Sequence, residues 1–335
     1  MRFTVGVKPG RLSRVFLMLI FLFVLFLSLL WGRYPRPGFA DLRVLLNDEM
    51  AKNLLWNIRV PRILMAVMAG ATLAGTGHVL QTVLGNPLVE PGLLGVSQGA
   101  AFGAALALLL GAAVSWPVFL SASFFGLAGF FFSWFLAKKI RYGGGILRLV
   151  LAGIVVSALF SSGLGILKYL ADPRNELPEI VFWLMGGLSF ASWDSVMRSA
   201  VPVLVSMSLM SAVRWRINLL ALEDCSAFAL GTHPGRERII IITLSVIAVA
   251  SITAMAGIIS WVGLLIPHLA RKLVGADTLH SLPLSMLIGS LFLLVCDDIA
   301  RGMLIGEIPL GLISTLGGSI MFGFLMTFRD RRMKH

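Results

Sequence analysis

Five polar islands interrupt an otherwise apolar chain of 335 residues, and their residue types limit the chemistry open to it. Arg59 and Arg62, in Arg-Val-Pro-Arg, and Arg301, after the acidic pair Asp297 and Asp298, are cations at the ends of apolar runs. Such arginines snorkel to lipid headgroups or pair with neighbouring carboxylates. NPLVEPGLLGVSQGA at 86–100 places prolines, a carboxylate, two side-chain amides and several glycines between long apolar segments. YGGGILRLV at 142–150 is glycine-rich but lacks the Lys-Ser/Thr pair with which a phosphate-binding loop holds phosphate and metal. INLLALEDCSAFALGTH at 217–233 is too short and too polar to cross a bilayer.

These islands hold no set suited to covalent catalysis, and no catalytic or metal-binding residue is expected. Neither H-E-x-x-H nor a nucleophile elbow occurs. Cys225 and Cys296 lack metal-ligand spacing, fall on opposite membrane sides in the topology below, and read as small packing residues. His78 is the main ionisable residue within a span, with Lys168 near a span end. Proton-coupled carriers usually keep carboxylates or histidines along their pathways, so a transporter built this way draws its energy from elsewhere. His268 in IPHLAR reads as a helix-end polar contact rather than a metal ligand.

The elements that position the islands are membrane spans. The chain is 58% hydrophobic and 13% charged, with a mean hydropathy of +0.91. Apolar runs long enough to cross a hydrocarbon core of roughly 30 Å recur throughout. They predict ten spans, at 15–32, 61–83, 92–111, 115–137, 147–170, 196–213, 238–256, 259–270, 282–297 and 309–328. The eighth is short and marked by Gly and Pro, so it crosses only part of the bilayer. A further stretch, 176–190, reads as a short surface helix. The first run, Val15 to Trp31, exceeds the roughly 7–15-residue core of a signal peptide, so a retained first span is expected.

Charge asymmetry orients the spans. With the N-terminus inside, basic clusters at 2–14, 138–148, 214–238, 271–272 and 329–334 face the cytoplasm, while Asp41, Glu49, Asp172, Glu179, Asp297 and Glu307 face out. That is the positive-inside pattern, and it accounts for a net charge of +12 without nucleic acid. Small residues at Gly99/Gly103 and Gly153/Ser157/Ser161 let helix backbones approach; ordinary packing is their expected role.

In this topology 86–100 contains the cytoplasmic turn between spans two and three. Pro87 and Pro91 remove backbone donors, and Gly92 and Gly95 admit conformations closed to other residues. Irregular backbone at membrane depth survives only where protein buries it or where it lines a cavity. The turn therefore lines a pathway near its cytoplasmic mouth, or it is a rigid turn with no transport role. Leu219, Leu220, Leu222, Ala227, Phe228 and Leu230 give a short helix an apolar side. Such a side docks into a partner's groove or rests on the membrane.

Several segments together carry a resemblance: RVPRILMAVMAGATLAGTGHVLQTVLGNPLVEPGLLGVSQGAAFGA (59–103), LVLAGIVVSALFSS (149–162), VFWLMGGLSFASWD (181–194), INLLALEDCSAFALG (217–231), GIISWVGLLIPHLARKLVGAD (257–277) and EIPLGLISTLGG (307–318). The chain closely resembles the permease subunits of bacterial iron-chelate, haem and cobalamin ABC importers, the FecCD-type or type II importer family. The resemblance covers nearly everything beyond the first span. It implies an all-α polytopic fold of ten or so transmembrane helices, a single permease domain over 1–335. That domain would have a cytoplasmic coupling loop near 214–238 and a periplasmic surface helix near 176–190.

It also implies roles. Arg59, Arg62 and Arg301 would receive carboxylates of a periplasmic substrate-binding protein, a contact suited to arginine's planar fork, with Arg59 and Arg62 outside the core. The cytoplasmic gate would lie at Asn86, Pro87 and Leu88 and at Gly143, Gly144 and Gly145, where relatives often carry small hydroxyl residues. Leu219, Leu220, Leu222, Glu223, Ala227, Phe228, Leu230 and Gly231 would couple to the ATPase, with Glu223 standing where relatives usually have glycine. The expected assembly is a homodimer, or close heterodimer, in the bacterial inner membrane, with both termini cytoplasmic. Two ATP-binding subunits would bind below and one substrate-binding protein above, with no nucleic acid involved. No cofactor is expected on this chain, which is not an enzyme, because ATP and magnesium would sit on the partner ATPase. An iron-siderophore leads as cargo, then haem or cobalamin, with an oxyanion as the alternative. A secondary carrier or channel without an ATPase is the rival of another class.

Overall fold

The computed structural model describes residues 11–34, 38–39, 41, 47–112, 116–303 and 306–327, without the side chains of 11–14 and 326. The basic side chains expected at 2–14 and 329–334 lie outside this description. Helix α1 (Arg11–Leu30) is followed by a two-residue antiparallel pair, Trp31–Gly32 with Gly38–Phe39. Helix α2 (Glu49–Leu54) continues through one wide turn at Leu55–Arg59 into α3 (Val60–Val83). A tight turn at Pro91–Leu94 leads into α4 (Val96–Leu109), then α5 (Trp116–Lys139) and α6 (Gly145–Leu170). The short α7 (Glu176–Leu184) precedes α8 (Trp193–Ala212), which leads to α9 (Arg214–Leu220) and α10 (Asp224–Ala229). The chain closes with α11 (Pro234–Ala256), α12 (Val262–Val274), α13 (Thr278–Gly302) and α14 (Leu310–Thr327).

Each expected span is a helix, with ends displaced by several residues. Among the described residues, six helices are long and apolar enough to cross a membrane by themselves. Helix α12 has 13 residues, about 20 Å at the helical rise, so the short eighth element is as expected. Helix α4, at 14 residues, is nearly as short, because the irregular stretch 84–95 replaces its first turns. The surface helix ends at Leu184, where Gly186 turns the chain with a φ of +70°. Helix α13 runs past 297 to Gly302, so Asp297, Asp298 and Arg301 lie inside it rather than beyond its end.

Helix α3 is the centre of the core. In the helical run 49–83, 78% of the most apolar window is buried, against 28% in α6 and 33% in α8. Without a hydrophobic drive between helices in lipid, close backbone contact and polar ties hold such a bundle. A Cβ on Gly70 would lie 2.2 Å from the Gly289 carbonyl of α13, and one on Gly77 would lie 2.1 Å from the Gly263 carbonyl of α12. Ser290 Oγ donates to the Val67 carbonyl at 2.9 Å. Fully buried His78 sits 3.1 Å from Ser281 Oγ and 3.4 Å from Ser285 Oγ, so it clasps α3 to α13. The same logic explains the small-residue stripes. Gly99 and Gly103 lie against the backbone of α5, and Gly153 lies against the Leu93 carbonyl.

Candidate functional site

The segment 217–232 forms two helices rather than the single one expected. Helix α9 ends at Leu220, and Glu223, extended at ψ 146°, starts α10 with no side-chain cap. The break divides the apolar residues between two faces. Ile217, Leu220 and Ala227 are buried against the bundle, while Leu222, Phe228 and Leu230 are exposed, Phe228 by 64%. Gly231 leaves α10 with a φ of +82°, and the buried Thr232 hydroxyl donates to the Ala227 carbonyl at 2.7 Å. Arg238 of α11 holds the pair from behind: it donates to Asp224 Oδ1 at 2.5 Å and to the Leu220 carbonyl at 3.0 Å. Cys225 is exposed on α10, which corrects its reading as a packing residue, whereas Cys296 is buried. The loop is thus a braced platform with a protruding apolar face.

The turn after α3 lines a cavity. Asn86 Oδ1 accepts from the Leu88 amide at 3.0 Å, and Pro87 and Leu88 are exposed at the tip. Beyond the tip the chain turns inward. Glu90, Pro91, Ser97 and Gln98 line a cavity of about 320 Å³ with Ser157 of α6, Thr253 of α11 and Ser260. Its other wall is irregular too, because α11 and α12 are separated by 257–261, where Trp261 adopts a φ of +73°. Leu73, Ile154, Val249 and Ile258 also line the cavity, so two broken segments meet around a mixed polar and apolar space, the arrangement that bilayer physics permits. Gly143, with a φ of +82°, and Gly144 and Gly145 are exposed ahead of α6, and Arg148 Nε donates back to the Gly143 carbonyl at 2.7 Å. The triple glycine thus belongs to α6 and the Asn-Pro-Leu tip to α3, and among the described residues no hydrogen bond joins the two.

The arginines expected on the outer surface are buried, and this corrects the premise that Arg59 and Arg62 lie outside the core. Arg59 and Arg62 are each 6% exposed and Arg301 is 8%. Arg62 Nε donates to both oxygens of fully buried Asp297 at 3.0 Å, and its Nη1 reaches Glu307 Oε1 at 2.7 Å. Ser189 Oγ completes Glu307 at 2.6 Å. Arg301 binds Asp298 and the Ser28 carbonyl, and Arg59 binds the Leu29 and Tyr34 carbonyls at 3.0 and 3.1 Å. Burial alone would raise the Glu307 carboxyl, but the hydrogen bonds from Arg62 and Ser189 outweigh it and hold the group below the usual carboxylate range. Of the two plain readings, pairing with aspartate is the one observed for Arg62 and Arg301. Asp297 was among the partners expected for these arginines, whereas Glu307, more than two hundred residues from Arg62 in the chain, was not.

Residues 19–328 match the FecCD transport family. The molybdate import system permease protein MolB of Haemophilus influenzae is 38% identical over 325 residues, covering 95% of both chains. The hemin transport system permease protein HmuU of Yersinia pestis is 34% identical, covering 94% of this chain and 97% of its own. The Fe(3+) dicitrate transport system permease protein FecC of Escherichia coli is 35% identical, with 89% and 91% covered. A solved inward-facing structure of a protein described as a metal-chelate type ABC transporter superposes with a TM-score of 0.86 at 37% identity. It covers 93% of this chain and 98% of its own.

Proposed function

The chain belongs to the FecCD transport family and is a multi-pass membrane permease of the ABC-importer type, and from that premise we propose that it forms half of a pathway powered through 214–238. The observation that carries this reading is the braced platform on which Leu222, Phe228 and Leu230 are exposed. A free apolar face on a rigid loop suits docking into a groove. The groove belongs to a separate ATP-hydrolysing subunit, which supplies the ATP and magnesium chemistry. Two such subunits bind below a pair of permeases in the inner membrane, with both termini cytoplasmic. A substrate-binding protein delivers cargo from outside, and alternating access follows from motion of the loop.

A second permease copy is supported by α6. Its exposed face mixes Leu151, Ile154 and Leu159 with Ser161, Ser162 and Gly165, whereas α8 exposes Met197, Val201, Leu204 and Leu209. The second set suits lipid; the first suits a wet seam between two copies. For the outer arginines, burial narrows the docking role: a partner's carboxylates would meet Arg62 only where Glu307, at the surface of the cluster, yields.

A ferric chelate is the leading cargo, with haem or cobalamin next. An oxyanion is the second reading, favoured by the molybdate permease among the relatives. Radiolabelled ferric dicitrate, haemin, cobalamin and molybdate offered to proteoliposomes with the full complex separate these readings. For the coupling claim, the tagged chain should retain an ATPase subunit, and Phe228→Asp should fold normally yet lose it. ATP-independent uptake by a chain that retains no ATPase would leave the carrier reading standing, and retention unaffected by Phe228→Asp would remove this face from the interface.

A further inference from the structure

The coupling platform has a second brace, on a different helix from the first. Arg238 ties α9 and α10 to α11. Asn218 of α9 reaches instead to the start of α13. Its Nδ2 donates to Asp277 Oδ1 at 2.7 Å, and its Oδ1 accepts from the Thr278 amide at 2.9 Å. Asp277 is itself the N-cap of α13, accepting from the Leu279 amide at 2.9 Å. One side-chain amide therefore satisfies an orphan backbone donor of the helix and holds its capping carboxylate. Asp277 faces His280 on its own helix at 3.2 Å, and burial of the carboxylate is outweighed by these donors, which keep it below its ordinary range.

From that cap the polar ties continue into the bundle. Ser281 Oγ donates to the Asp277 carbonyl at 2.8 Å and touches His78 of α3, and Ser285 repeats the pattern one turn on. Helix α13 is 25 residues long, about 37 Å at the helical rise. Its far end carries Asp297, Asp298 and Arg301, the members of the outer charged cluster. One continuous helix, with Pro283 near its start, thus has the coupling platform clipped to one end and the outer cluster built into the other.

We propose that Asn218 is the positioning residue through which displacement of the α9–α10 platform reaches α13, separately from the Arg238 route into α11. This rests on the ATPase-coupling reading above. By side-chain hydrogen bond the platform has two outputs: one to α11, and the other to the helix that ends at Arg62's partners. Removing the Asn218 side chain cuts only the second.

The test is amide hydrogen exchange on the complete complex with its ATPase subunit in lipid nanodiscs, with and without MgATP plus vanadate. In the parent complex, nucleotide trapping should change exchange at 278–286 in α13 and at 236–242 in α11. In Asn218→Ala the nucleotide-dependent change at 278–286 should vanish while that at 236–242 persists. The paired variant Asn218→Asp with Asp277→Asn should restore it, because the carboxylate placed on α9 would accept from the Thr278 amide and from the side-chain amide placed at the cap. A purely structural role would raise exchange at 278–286 equally in both nucleotide states and leave the difference intact. An undiminished response in Asn218→Ala, no response at α13 in the parent, or no recovery in the paired variant overturns the proposal. If the chain holds no ATPase subunit at all, it is the coupling reading itself that fails, which pull-down on the parent reveals first.

Discussion

At the scale of residues, the outer arginines teach the most. Their chain positions showed that Arg59, Arg62 and Arg301 mattered, and the carboxylates of 297 and 298 were in view. That Arg62 is shared between Asp297 and Glu307 was not legible, because pairing across so many residues depends on how α3 and α13 cross. Asn218 and Arg238 were equally hidden as ties, since their partners on α13 and α10 are fixed only by the fold. Burial turns the arginine into a stability element. Arg62→Ala leaves fully buried Asp297 without its hydrogen-bonded partner and with only Arg301 Nε at 3.8 Å, so it should destabilise the protein by about 3–5 kcal/mol, whereas Arg62→Met with Asp297→Leu should recover most of the loss. Thermal unfolding in detergent checks both, and a single variant as stable as the parent would show the pair to be idle.

At the scale of elements, hydropathy made the spans legible because a helix must satisfy its own backbone in lipid and stay apolar for its whole crossing. The same rule hid the broken segments. The start of α4 and the gap before α12 are irregular because protein and a partly polar cavity surround them, and local composition alone does not reveal that shelter. The coupling segment was legible as apolar and amphipathic, but its break at 221–223 was not, since Leu220 and Phe228 fit one helical stripe as readily as two. Where α3 meets α13, contact is backbone to backbone. A Cβ on Gly289 would sit 2.3 Å from the Gly70 carbonyl and 2.5 Å from Ala74 Cβ. Gly289→Ala should therefore force the helices apart at a cost of about 1–3 kcal/mol, the range for overpacking. An unchanged melting temperature would mean that the crossing has room to spare.

At the scale of the whole molecule, one chain presents three unlike surfaces: an exposed apolar face on α8, a mixed face on α6, and a braced platform at 214–238. The pairing of copies predicts that a cysteine at Leu159 cross-links to a second permease while one at Leu204 does not, read on a denaturing gel. Equal cross-linking at both sites would remove α6 from the seam. The platform carries the central claim, and the chain supplies its own probe there, because Cys225 is exposed on α10 and the other cysteine is buried. Labelling of Cys225 by a membrane-impermeant maleimide, compared between right-side-out and inside-out vesicles, is the most direct measurement. Reaction only in inside-out vesicles, suppressed when the ATPase subunit is bound, is the predicted result; labelling from the outside, or labelling indifferent to that subunit, would contradict it.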